Sequence, residues 1–174
     1  MNLLSRDLFA QAARFGLLVL AQVLLLRRLT LFDTGYCLAY VGFILFLPIQ
    51  LGRPWVLLLS FLTGFTLDLF DNTGGMHAAA CVVVGFVRGA QLRLIRPRDG
   101  YDTLDTVSGH RMGWAWWALA TVPLVAIHHL ALFWIEQGTA LPTAFTLLKV
   151  LASTAFTSVV LLMMQLLFWR VREQ

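Results

Sequence analysis

The sequence predicts an all-α integral membrane protein, one domain built as a bundle of six transmembrane helices. Three observations lead there. The 174 residues are 59% hydrophobic and 13% charged, with a mean hydropathy of +0.78, which is more apolar surface than a soluble core of this size would cover. The apolar residues gather in six runs, about 8–26, 36–51, 54–70, 75–92, 114–135 and 143–169. Each run is continuous in Leu, Val, Ala and Phe, without the polar and apolar alternation of a transmembrane β-strand.

The first run follows Arg6 and ends in "LLLRRLTLF", with no small-residue cleavage site, so it reads as an uncleaved first span. The second and third runs fall short of the roughly 20 helical residues that cross hydrocarbon, and need their flanks or a thin bilayer to do so. The third and fourth form a hairpin: "PWVLLLSFLTGFTLDLF" rises, "DNTGG" turns, and "MHAAACVVVGFVRG" returns. Asn, Thr and Gly supply the positive φ angles and side-chain bonds of such a turn. A basic and then acidic loop over 93–113 leads to the fifth run, and the sixth carries "ASTAFTS", whose Ser153, Thr154, Thr157 and Ser158 can bond across helices.

Charge sets the orientation. Net charge is +4, and Lys149 is the single lysine. Placing the N-terminus in the cytoplasm collects Arg6, Arg53, Arg93, Arg96, Arg98, Arg111, Arg170 and Arg172 inside and leaves Arg27 and Arg28 outside. Both termini are therefore expected in the cytoplasm. The arginines form no run on a soluble face, so nucleic acid is not the expected partner; membrane lipid is. Cys37 and Cys81 lie apart inside apolar runs and read as packing residues.

Small residues mark close helix contacts. Gly85 and Gly89 stand four apart in "GFVRG", Ser60 and Gly64 repeat the spacing in the third run, and Ala12 and Gly16 in the first. Ionisable residues at membrane depth are the other signal. Asp68 precedes the turn and His77 follows it at similar depth. Asp68 is expected to bond the turn's backbone amides, with His77 at the first turn of the returning helix. An asparagine at 68 is then expected to preserve that bonding. Arg14 and Arg88 fall toward the cytoplasmic side, where long side chains snorkel. His128, His129 and Lys149 fall about 10 Å below the outer surface by helix rise, and a relay through His129, Lys149 and Asp68 is an open alternative.

No motif for an enzyme is present. The chain lacks a phosphate loop, HExxH, GxSxG and paired carboxylates on one helix face, and Ser60 has no glycine-framed elbow. No catalytic residue, cofactor or metal is expected.

The stretch "FLTGFTLDLFDNTGGMHAAA" resembles the signature of the bacterial rod shape-determining protein MreD family: a G-x-x-x-D end to one span, a short polar turn, then G-x-H-A. Gly64, Asp68, Gly75, His77 and Ala78 carry the match. "LVLAQVLLLRRLTLF" and "FILFLPIQLGRPWVLLL" are similar in kind to the family's first span and its second-to-third connection. The resemblance implies a non-enzymatic membrane subunit of the cell-elongation (rod) complex in the bacterial inner membrane. Its partners would be MreC, the filament protein MreB, a glycan polymerase and a penicillin-binding transpeptidase. It also implies a fold similar to the substrate-binding subunits of energy-coupling-factor vitamin transporters. Such a transporter subunit is the rival reading, with Asp68, His77 and His129 as ligand contacts near the outer leaflet.

Overall fold

The structure is a computed structural model that describes residues 3–102 and 106–168. Arg170 and Arg172, counted above among the cations of one end, lie outside the described residues. Five long helices dominate: α1 (Leu3–Leu24), α3 (Arg53–Asp71), α4 (Met76–Leu94), α6 (Trp114–Gln137) and α7 (Ala144–Phe168). Two short helices, α2 (Val41–Leu45) and α5 (Gly109–Met112), sit in the connections. Among the described residues three helices, α3, α6 and α7, are long and apolar enough to cross a membrane. The chain is an all-α membrane protein on that ground.

The expected six helical spans are corrected to these three: the helices of the first and fourth runs, α1 and α4, are not among those long and apolar enough to cross, and the second run is not one long helix. Residues 36–51 contain one short helix, α2, whose five residues are all buried. As one α-helix this run would reach only about 24 Å, short of the roughly 30 Å hydrocarbon core. The sequence has local reasons to break it. Pro48 disfavours helix at the residue before it and lacks an amide proton of its own. Gly42 packs so closely on α7 that a methyl there would lie 2.6 Å from Leu161 Cδ2. The helix stops at Phe46.

The broken run nevertheless joins opposite ends of the bundle. Its start follows a small antiparallel ribbon, in which β1 (Thr30–Leu31) pairs with β2 (Gly35–Tyr36). Arg27 Nε, in the short 3-10 turn Leu26–Arg28 that follows α1, lies 2.8 Å from Asp71 Oδ1 at the end of α3, which places the end of α1 beside the α3–α4 turn. The run then leads away from that end to the first turn of α3. It passes through the core, with Ala39, Tyr40, Val41 and Ile44 fully buried among Leu18, Val84, Leu124 and Leu161.

Irregular backbone inside a membrane protein must find internal partners. Three helices supply them. Ser153 Oγ of α7 accepts the Tyr36 amide at 2.9 Å, and Thr157 Oγ1 accepts the Leu38 amide at 3.0 Å. Gln22 Nε2 of α1 donates to the Cys37 carbonyl at 2.9 Å. Arg88 of α4 donates through Nη2 to the carbonyls of Leu45 and Leu47. Arg88 is 2% exposed, so the snorkelling expected of it does not occur. Its guanidinium turns inward because the free carbonyls at the end of α2 carry partial negative charge.

Helix α6 contains a comparable repair. Pro123 has no amide proton for the carbonyl four residues back, that of Leu119. Gln91 Nε2 of α4 donates to that carbonyl at 2.8 Å.

Candidate functional site

The hairpin of α3 and α4 carries Asp68 and His77. Helix α3 ends on Asn72 in the left-handed region, φ 54°, and Gly75, φ 98°, starts α4. A side chain is strained at Gly75, which fits the glycine found there. The two helices touch at backbone distance. A methyl at Gly64 would lie 2.5 Å from the Ala78 nitrogen, and closer still to the His77 carbonyl oxygen and the Ala78 Cα. One turn further on, Asp68 reaches across. Its Oδ1 accepts from Thr73 Oγ1 at 2.5 Å and from the His77 amide at 3.0 Å, and its Oδ2 accepts from the Ala78 amide at 2.8 Å.

These contacts explain the residue types at this spacing. The first amides of a helix have no partner inside it, and a carboxylate there is favoured by the helix dipole. Here the cap comes from the preceding helix instead of the residue before α4. Gly64 brings the backbones close enough for Asp68 to reach. Asp68 is 6% exposed and His77 7%. Because both carboxylate oxygens accept amide protons, asparagine would set its own N–H₂ against a donor. The expectation that asparagine preserves the bonding is therefore corrected.

The small-residue contacts divide. A methyl at Gly85 would lie 3.1 Å from Ser60 Cβ and closer to Ser60 Oγ, so these two positions do mark close packing of α3 on α4. Gly89 does not share it. A methyl there would meet only Arg93 Nη1, at 3.9 Å, and one at Gly16 would meet nothing within 4 Å.

Behind the hairpin lies a buried polar chain. His77 Nδ1 is 2.6 Å from the Tyr40 hydroxyl, which is 2.9 Å from His128 Nε2. His77 Nε2 faces Asp71 Oδ2 at 3.8 Å. With the His77 Nε2 proton assigned toward that carboxylate, Nδ1 accepts the Tyr40 proton and Tyr40 accepts from His128 Nε2. His128 Nδ1 is then a buried lone pair, without a hydrogen-bond partner among the described residues. His129 is separate: its Nδ1 donates to the Val125 carbonyl at 2.8 Å, and its Nε2 is 3.4 Å from Thr157 Oγ1.

The relay through His129, Lys149 and Asp68 is not assembled. Lys149 Nζ pairs with Glu136 at 2.7 Å and lies over the Tyr36 and Phe133 rings, at 4.8 and 4.2 Å from their centroids. Tyr40, Asp71 and Glu136 are the participants that sequence reading missed. Tyr40 carried a signal, a phenol four residues inside an apolar run, since a buried tyrosine hydroxyl usually has a partner. Asp71 and Glu136 stand at the ends of α3 and α6, where a charge carries no signal of such a meeting.

His77, Asp71, Arg27, Glu136 and Lys149 also line a cleft of about 230 Å³ at the hairpin end of the bundle. Its four formal charges pair as Arg27 with Asp71 and Lys149 with Glu136. Among the described residues, no three His, Cys, Asp or Glu side chains come together as a metal ion would need. Comparison of the chain with protein-family models, curated proteins and solved structures finds no match.

Proposed function

We propose that this chain is a non-enzymatic membrane subunit of a bacterial cell-elongation complex, of the rod shape-determining MreD type. It resides in the cytoplasmic membrane with both termini in the cytoplasm. It binds the single-pass scaffold MreC and works with MreB, a glycan polymerase and a penicillin-binding transpeptidase. The observation that carries this reading is the hairpin: of the residues of the resemblance, Gly64, Asp68, His77 and Ala78 form one backbone-to-backbone contact and its carboxylate cap, and Gly75 makes the turn into α4. The cation count supports the orientation. Arg27 and Arg28 lie at the hairpin end, whereas Arg53 and Arg93 lie at the opposite ends of α3 and α4.

A transporter subunit is the second reading, and the cleft at the hairpin end is the observation that favours it. Its volume is below the roughly 300–1,000 Å³ of small-molecule sites, and its charges already satisfy one another. Both points favour the first reading. The test is recovery of MreC with this chain, tagged at its own locus, together with the cell shape that follows depletion. Recovery of MreC and rounding of depleted cells are expected. Normal rods, with no MreC recovered, would refute the proposal; loss of uptake of a small solute would favour the second reading.

A further inference from the structure

At the end of the bundle opposite the hairpin, α3, α4 and the loop that follows α4 enclose a cavity of about 560 Å³. Four arginines line it, Arg53, Arg88, Arg93 and Arg96, and among the described residues no carboxylate does. Like charges around one space repel, and more strongly where water is scarce. The side chains are nevertheless set toward this space from several directions. The Arg53 guanidinium lies over the Phe86 ring, 4.3 Å from its centroid, at one edge. Arg93 lies beside Gly89, whose missing side chain leaves part of the wall open. Arg88 is the deepest of the four along α4, six residues or about 9 Å of helix before Leu94. It is 98% buried, being 2% exposed, and its Nε has no hydrogen-bond partner among the described residues.

We propose that this cavity binds a phosphate-bearing anion, which the guanidinium groups of Arg53, Arg93 and Arg96 hold at the membrane surface, while Arg88, whose Nη2 donates to the Leu45 and Leu47 carbonyls, adds its charge from beneath. Planar guanidinium groups with several donors each match phosphate oxygens in geometry as well as charge. The glycine at 89 gives the anion room beside the helix. The anion is the headgroup phosphate of an anionic phospholipid or a free phosphate in the adjoining water. The inference is independent of the cell-elongation reading, since it draws on the other end of the bundle.

The test titrates short-chain phosphatidylglycerol, and separately inorganic phosphate at matched ionic strength, into the detergent-solubilised full chain and reads apparent affinity. Arg93→Gln with Arg96→Gln removes two of the lining charges. Arg98→Gln with Arg111→Gln removes two that do not line the cavity. Gly89→Leu fills the space and leaves every charge in place. At about 1 kcal/mol for each surface arginine, the lining pair should weaken phosphatidylglycerol binding by roughly 30-fold. The control pair should change it much less, and Gly89→Leu should abolish it. Binding of phosphatidylglycerol alone identifies a lipid headgroup as the source, and equal binding of inorganic phosphate identifies the free anion. Equal losses in the two arginine pairs, undiminished binding in Gly89→Leu, or no binding of either probe to the parent would overturn the proposal.

Discussion

Gly64→Ala is the sharpest test of how the hairpin holds together. The added methyl would lie 2.5 Å from the Ala78 nitrogen, whereas non-bonded heavy atoms rest at about 3.5 Å. The obstructing atoms are backbone, so no side chain can swing aside and α3 must move from α4 by about 1 Å. That displacement would stretch the Asp68 bonds to the His77 and Ala78 amides, now 3.0 and 2.8 Å, to about 4 Å, beyond hydrogen-bond range. Overpacking costs about 1–3 kcal/mol, and each charge-assisted bond lost adds about 1.5–3 kcal/mol. A total of at least about 4 kcal/mol is expected. Gly89→Ala provides the control, because its methyl meets only Arg93 Nη1 at 3.9 Å. Alanine is the better helix former, so this variant should be neutral or more stable by about 0.5–1 kcal/mol. Denaturant unfolding of the two purified proteins in the same detergent measures the difference. Equal stabilities would refute both the close approach and the argument that Asp68 depends on it.

Two further substitutions probe the interior. Tyr40→Phe removes the hydroxyl between His77 and His128 and leaves buried imidazole nitrogens unpaired, at a cost of about 1–3 kcal/mol in the same unfolding assay. Wild-type stability in that variant would mean that the polar chain contributes nothing. Ser153→Ala with Thr157→Val removes the α7 partners of the Tyr36 and Leu38 amides. Faster hydrogen exchange is expected at those two amides, with α6 unchanged; uniform exchange across the bundle would refute a local role.

Legibility in the sequence followed how local each signal is. The hairpin was readable because turn chemistry and hydrophobic length act within about twenty residues: runs 54–70 and 75–92 correspond to Arg53–Asp71 and Met76–Leu94. Asp68 as a cap for backbone amides was readable for the same reason. Run 36–51 was misread, because apolar content shows that a segment is buried and does not distinguish a helix from an irregular chain with internal partners. Arg88 followed from that error. Its acceptors are the carbonyls at the end of α2, and without a helix ending near Leu45 there was nothing at that depth for a guanidinium to bind. The Tyr40, His77 and His128 contact joins positions 37 and 88 residues apart, and no periodicity reports on such a meeting.

The interrupted second run also orders events during synthesis. The α7 hydroxyls that pair with Tyr36 and Leu38 come 117 to 121 residues later in the chain. A ribosome that has just delivered α3 has therefore made a segment whose amides have no permanent partner yet. Until α7 leaves the insertion channel, those groups must stay in the channel's wet interior or at the membrane surface, because lipid offers them nothing. The second run is then translated before α3 to α7 and is among the last of these parts to settle, and a nascent chain arrested after α6 should still leave residues 36–40 open to a water-soluble labelling reagent.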